Sequence, residues 1–149
     1  MVLHQTPATA ELIARLRCLL EEDPATDFAL LVPATPAGGW ATWDEAETQE
    51  MAWQRSRECR DVLNGAGIML SSVRVGEWTL MDAISAELSR AGNYDGVVLS
   101  GVASSVPRLL RLDAPSRLRR QFPGLRVLEV SVPASASRRW GRRLSDSFP

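Results

Sequence analysis

Lysine is absent from the 149 residues, so all seventeen basic side chains are arginine. That absence excludes Walker-type phosphate binding, Schiff-base chemistry and pyridoxal phosphate attachment, each of which needs a lysine amine. Histidine occurs once, at His4, so a zinc site or a Ser-His-Asp triad would have to be built around a residue in the first few positions. The two cysteines, Cys18 and Cys59, fall in separate helical patterns without metal-ligand spacing. Both read as small buried hydrophobes rather than as a disulfide. No apolar run approaches the roughly 20 residues needed to cross a bilayer. Met1 to Gln5 is also too short and polar for a secretory signal, so the expected location is the cytoplasm.

What is present is ordinary globular composition, 45% hydrophobic and 23% charged, which suits one domain with a real core. The net charge of -1 hides an asymmetry. Residues 1–100 hold seven Arg against fifteen Asp plus Glu, whereas residues 101–149 hold ten Arg against three acids. A basic last third attracts anions or acidic surfaces, or else balances acidic helices within the same fold.

Local pattern divides the chain into alternating elements. Val2-Leu3-His4 is a short apolar start. Thr6 and Pro7 then offer a cap and a first-turn proline for a helix whose Leu12, Ile13, Leu16, Leu19 and Leu20 recur at helical spacing as far as Glu22. Phe28 to Val32 is a continuous apolar run, as in a strand buried on both faces. The Pro/Gly-rich stretch 33–39 is a loop, and Thr42 with Glu45 forms a capping box for a helix running to about Asn64. Ile68 to Val75 reads as a strand. Thr79 with Asp82 caps a third helix with a stripe of Met81, Ile84 and Leu88, and Gly96 to Leu99 is another buried strand opening into a loop from Ser100 to Pro107. A helix over 114–122, with Asp113 as its cap, precedes the final strand Leu125 to Val132. The expected fold is therefore α/β, a three-layer, Rossmann-like or flavodoxin-like five-stranded parallel sheet with helices on both faces. Residues 1–133 form the domain, and 134–149 read as a basic, flexible tail. In such sheets ligands sit at the carboxyl ends of the strands, here the loops starting at Gln5, Pro33, Gly76 and Ser100.

From Val2 to Val132 the chain resembles the universal stress protein family. The likeness rests on Asp27 to Pro33 as second strand with trailing proline, the long acidic helix followed by Gly65 to Ile68, the turn Arg74 to Glu77, and Tyr94 to Ser100 as fourth strand. The resemblance implies strand order 3-2-1-4-5 and a phosphate-binding loop of glycine, two residues, glycine, nine residues, then glycine with serine or threonine. Ungapped placement puts Ser100 and Ala103 at the first two glycines and Asp113 and Ala114 at the last pair, so the spacing survives without its glycines. Glycines let backbone amides approach phosphate, and a helix N-terminus offers it free N–H donors. Asp113 can occupy those donors with its own carboxylate and repel phosphate. The family's adenosine-holding aspartate after the first strand is replaced by the stretch His4-Gln5-Thr6.

The reading that follows is a non-catalytic regulatory or binding module without a cofactor. It pairs as a homodimer through the last strand, by Val127, Leu128, Val130 and Val132. The alternative is a nucleotide-binding protein or weak ATPase that takes ATP with Mg through Ser100, Ser104, Ser105, Arg108 and Arg111. A third reading places an acidic partner or nucleic acid on Arg138, Arg139, Trp140, Arg142 and Arg143, although short charge runs usually only face water. A response regulator would need a lysine. A flavodoxin would stack its ring on aromatics such as Trp40, Trp43 and Trp78, which read more simply as packing. Asp44, Glu45, Glu47 and Glu50 form a solvated face that pairs with Arg55 or Arg57, and no general acid and base pair emerges.

Overall fold

The computed structural model describes residues 1–4, 6–36, 44–103 and 114–133. Within them strands and helices alternate: β1 Val2–His4, α1 Ala10–Glu22, β2 Phe28–Pro33, α2 Glu45–Gly65, β3 Leu70–Gly76, α3 Leu80–Ala91, β4 Gly96–Ala103, α4 Ala114–Gln121 and β5 Arg126–Pro133. The five strands form one sheet in the order β3-β2-β1-β4-β5, and every pairing is parallel. β1 is central, with Val2 opposite Leu31 on one side and Leu99 on the other. No described helix is long and apolar enough to cross a membrane. The expected tail, 134–149, lies outside the described residues, as do Gln5, Trp40, Thr42, Trp43 and residues 37–39.

Alternation along the strands sorts the side chains into two cores, because successive residues point to opposite faces of a sheet. Leu3, Phe28, Leu30, Val32 and Val98 face α1 and α2, where they meet Leu12, Leu16, Ala52, Cys59 and Leu63. Val2, Leu31, Val97, Leu99 and Val127 face α3 and α4, where they meet Ala83, Ile84 and Leu118. Both faces are thus covered, which is why the strands read as nearly continuous apolar runs. α4 is short and polar, and Leu118 is its one buried residue, so truncating it to alanine removes about 2–5 kcal/mol and the helix's main anchor.

Helix ends show where local signals hold and where they do not. α3 starts as its sequence predicts: Thr79 accepts from the Asp82 amide at 3.1 Å while its hydroxyl donates to the Asp82 carboxylate. Gly92 closes it in the left-handed conformation that glycine adopts without strain. α1 instead begins after Thr9, which accepts from the Leu12 amide at 3.3 Å, so Thr6 is not its cap. α2 is capped by Asp44, whose Oδ1 accepts from Ala46 at 2.8 Å and from Glu47 at 3.3 Å. Its last turn has no cation of its own, and Arg17 of α1 donates to the Ala66 carbonyl just beyond its end at 2.8 Å, where a positive charge is favourable.

β3 carries one irregularity. Phe28 pairs with Leu70 but Ala29 pairs with Ser72, so β3 spends an extra residue at Ser71, whose hydroxyl donates to the Phe28 carbonyl at 3.1 Å. Leu70, Val73 and Val75 consequently all pack on the α1/α2 side, although the first two are three positions apart. Cys59 is buried as expected, whereas Cys18 is exposed on the outer side of α1.

Candidate functional site

In a doubly wound sheet the ligand crevice lies where neighbouring connections leave for opposite faces. Here that point falls between β1, whose connection α1 packs on one face, and β4, whose connection α4 packs on the other. Two hydroxyls occupy it. Thr6, just past β1, and Ser100, inside β4, are both fully buried. Thr6 Oγ1 lies 3.2 Å from the Ser100 carbonyl oxygen and 3.1 Å from Ser100 Oγ. With Thr6 donating to the carbonyl and Ser100 Oγ donating back to Thr6, the proton of each hydroxyl is used and the pair is self-contained.

Ser100 therefore does not open a loop. β4 continues to Ala103, and Ser100 sits within the sheet between Leu3 of β1 and Val130 of β5. The apolar run ending at Leu99 concealed this, because Ser100 and Gly101 look like loop residues while their backbone groups still belong to the ladder. Ala103 is the last residue of β4, opposite Pro133, and Ala114 is the first of α4, half-buried. Ser104, Ser105, Arg108, Arg111 and Asp113 lie outside the described residues, as do Arg138, Arg139, Trp140, Arg142 and Arg143.

No family model matches the chain, and no curated protein matches it. The chemistry must be judged from the side chains. A serine or threonine becomes a nucleophile when a base takes its proton, and a hydroxyl bonded to another hydroxyl has no such base in that contact. Among the described residues no group of three or more His, Cys, Asp or Glu is placed to hold a metal ion.

Other polar clusters lie away from the switch point. Glu87, near the end of α3, accepts from Arg90 Nη2 at 2.6 Å, Arg90 Nε at 3.1 Å and the Tyr94 hydroxyl at 2.7 Å, with Arg74 Nε of β3 3.7 Å away. Burial opposes its ionisation, but the hydrogen bonds from Arg90 and Tyr94 and the charges of Arg90 and Arg74 outweigh it and hold the carboxyl below its ordinary range. This carboxylate is saturated with donors and joins β3 to the end of α3. On α2, burial lowers the pKa of the Arg55 guanidinium, opposed by Cys59 and Glu58. The Cys59 thiol is pushed by burial up to about 12, so it stays protonated and inert. The outer acidic face of α2 behaves as a solvated surface, with Glu50 paired to Arg57 at 3.0 Å.

A cavity of about 630 Å³ opens at the opposite end of the sheet, between the starts of β2 and β4. Its rim includes Glu22, Asp23, Asp27 and Asp95, with Arg126 3.6 Å from Glu22. Size alone would favour it, but it lies at the amino ends of the strands, where this class of sheet does not build its ligand sites.

Proposed function

We propose that the chain is a non-catalytic binding module of universal stress protein type, one that does not hold ATP as that family's binding members do and that works as a homodimer through β5. The observation that carries the reading is the Thr6–Ser100 closure in a sheet ordered β3-β2-β1-β4-β5. At the position where the resemblance expects a glycine, beside the phosphates, Ser100 instead turns a side chain into a buried bond with the segment after β1. Filling that position costs the close backbone approach that phosphate binding needs.

Pairing through β5 is supported by the contrast between the two edges of the sheet. β3 has the irregularity at Ser71, a device that discourages strand addition. β5 pairs with β4 without interruption over eight residues. Its apolar side chains belong to the single chain: Val127 and Val132 are buried, and Leu128 and Val130 pack against the α1/α2 core. A dimer would thus draw on backbone hydrogen bonds rather than on an apolar stripe.

Calorimetry with ATP and magnesium at millimolar ligand tests the first half, with a flat trace expected. A saturable heat would overturn it and favour the serine and arginine loop as a nucleotide site. Light scattering at tens of micromolar protein tests the second half, and a monomer mass would remove the dimer.

A further inference from the structure

Backbone groups on an edge strand alternate, one residue bonding inward to its neighbour and the next pointing outward. On β5 the phase is set by the Arg126 amide, which donates to the Asp95 carbonyl at 3.1 Å. Arg126, Leu128, Val130 and Val132 therefore bond toward β4, and Val127, Glu129 and Ser131 point their N–H and C=O groups away from it. One of these outward groups is already taken. Arg119, in the last turn of α4, reaches over the strand and its Nη2 donates to the Val127 carbonyl at 3.2 Å. The same nitrogen lies 3.6 Å from a carboxylate oxygen of Glu129, the next outward residue. The guanidinium is thus held along the side of β5 away from β4 by one backbone acceptor and one charge.

We propose that Arg119 is a guard on the β5 edge, an autoinhibitory contact that a second copy of the chain must displace before its own β5 can add to the sheet. This rests on the homodimer reading of β5. A carbonyl engaged from above by a guanidinium is a poorer acceptor for an incoming amide, and the side chain occupies the space an approaching strand needs. Both partners of the ion pair are about half exposed, so the guard is weak, salt-sensitive and suited to tuning association rather than forbidding it.

The test compares wild type with Arg119→Met, which keeps an unbranched stem and deletes the donors, and with Ser131→Pro. Ser131 is exposed and its amide points outward, so proline there removes an edge donor without touching the β4 ladder. Sedimentation equilibrium is run from micromolar to hundreds of micromolar at low and high salt, with circular dichroism confirming that each variant folds. Arg119→Met is expected to tighten the dimer about 3- to 10-fold at low salt, the effect of freeing one acceptor and one surface ion pair. High salt is expected to bring wild type toward the variant, and Ser131→Pro to be monomeric alone or combined with Arg119→Met. Equal or weaker pairing by Arg119→Met, with Ser131→Pro still abolishing the dimer, overturns the guard and leaves the β5 dimer standing. A dimer that survives Ser131→Pro, or no association by any form, overturns both.

Discussion

Replacing Thr6 by valine keeps the shape of the side chain and deletes one hydroxyl, so its effect isolates the buried pair at the switch point. Thr6 and Ser100 are fully buried, so no water replaces the lost partner. Ser100 Oγ lies 3.1 Å from Thr6 Oγ1 and the Ser100 carbonyl 3.2 Å from it. Stranding the Ser100 hydroxyl and removing one bond from the carbonyl costs about 1–3 kcal/mol. In a domain of this length that corresponds to a fall in Tm of roughly 3 to 9 °C. Ser100→Ala should cost less, about 0.5–1.5 kcal/mol, because Thr6 still donates to the backbone carbonyl at that position. In Thr6→Val/Ser100→Ala no hydroxyl is left unsatisfied, so the double variant should be more stable than the sum of the singles predicts, by about 1 kcal/mol. Urea denaturation of all four proteins measures the cycle. If Thr6→Val unfolds with wild type, or the two losses simply add, the pair does not close the crevice in the way described.

Three further outcomes follow from the same structure. Gly76→Ala would place a Cβ 2.7 Å from Ala83 Cβ and 3.0 Å from Leu31 Cδ1, so β3 and α3 must separate, and urea denaturation should register a loss of about 1–3 kcal/mol. Because the folded-state pKa of Glu87 is depressed, its contribution is complete above the unfolded value and fades as acid carries the pH below about 4.5 and through the folded value. The stability gap between wild type and Glu87→Gln, followed by thermal melts across pH, should narrow over that range, and a gap that widens in acid contradicts the assignment. With Cys18 exposed and Cys59 buried as a protonated thiol, a thiol reagent should label one cysteine in the native protein and both after denaturation. Rapid native labelling of both would show the α1/α2 core to be open.

Most of the framework was legible because it depends on short-range pattern. A sheet buried on both faces shows itself as runs such as Phe28 to Val32 and Val97 to Leu99, and the Thr79 with Asp82 cap needs only four residues to be complete. Thr6 was misread for an instructive reason. Thr6 followed by Pro7 and Thr9 followed by Ala10 are both acceptable helix starts, and only a partner 94 residues away takes the first threonine out of competition. The expected dimer residues Val127 and Val132 look like a sticky strand in isolation, yet both are buried within the single chain, Val127 in the core beneath α3 and α4. Arg119 carries no local signal, since its contact with the Val127 carbonyl depends on the hydrogen-bond phase of a strand outside its own helix. Cys18 follows the helical repeat too loosely to separate inside from outside. It lies two residues from the buried Leu16, turned away from the sheet.

The additional residue at Ser71 makes the length of β3 unadjustable. Remove it and Leu70, now only two positions before Val73, would swing to the α3 side of the sheet and leave a hole where it had met the first core. Duplicate it and the same reversal would occur. Substitutions along this border strand should thus be absorbed far more readily than any single-codon gain or loss, and variants of this chain that remain folded should keep the count from Leu70 to Val75 unchanged.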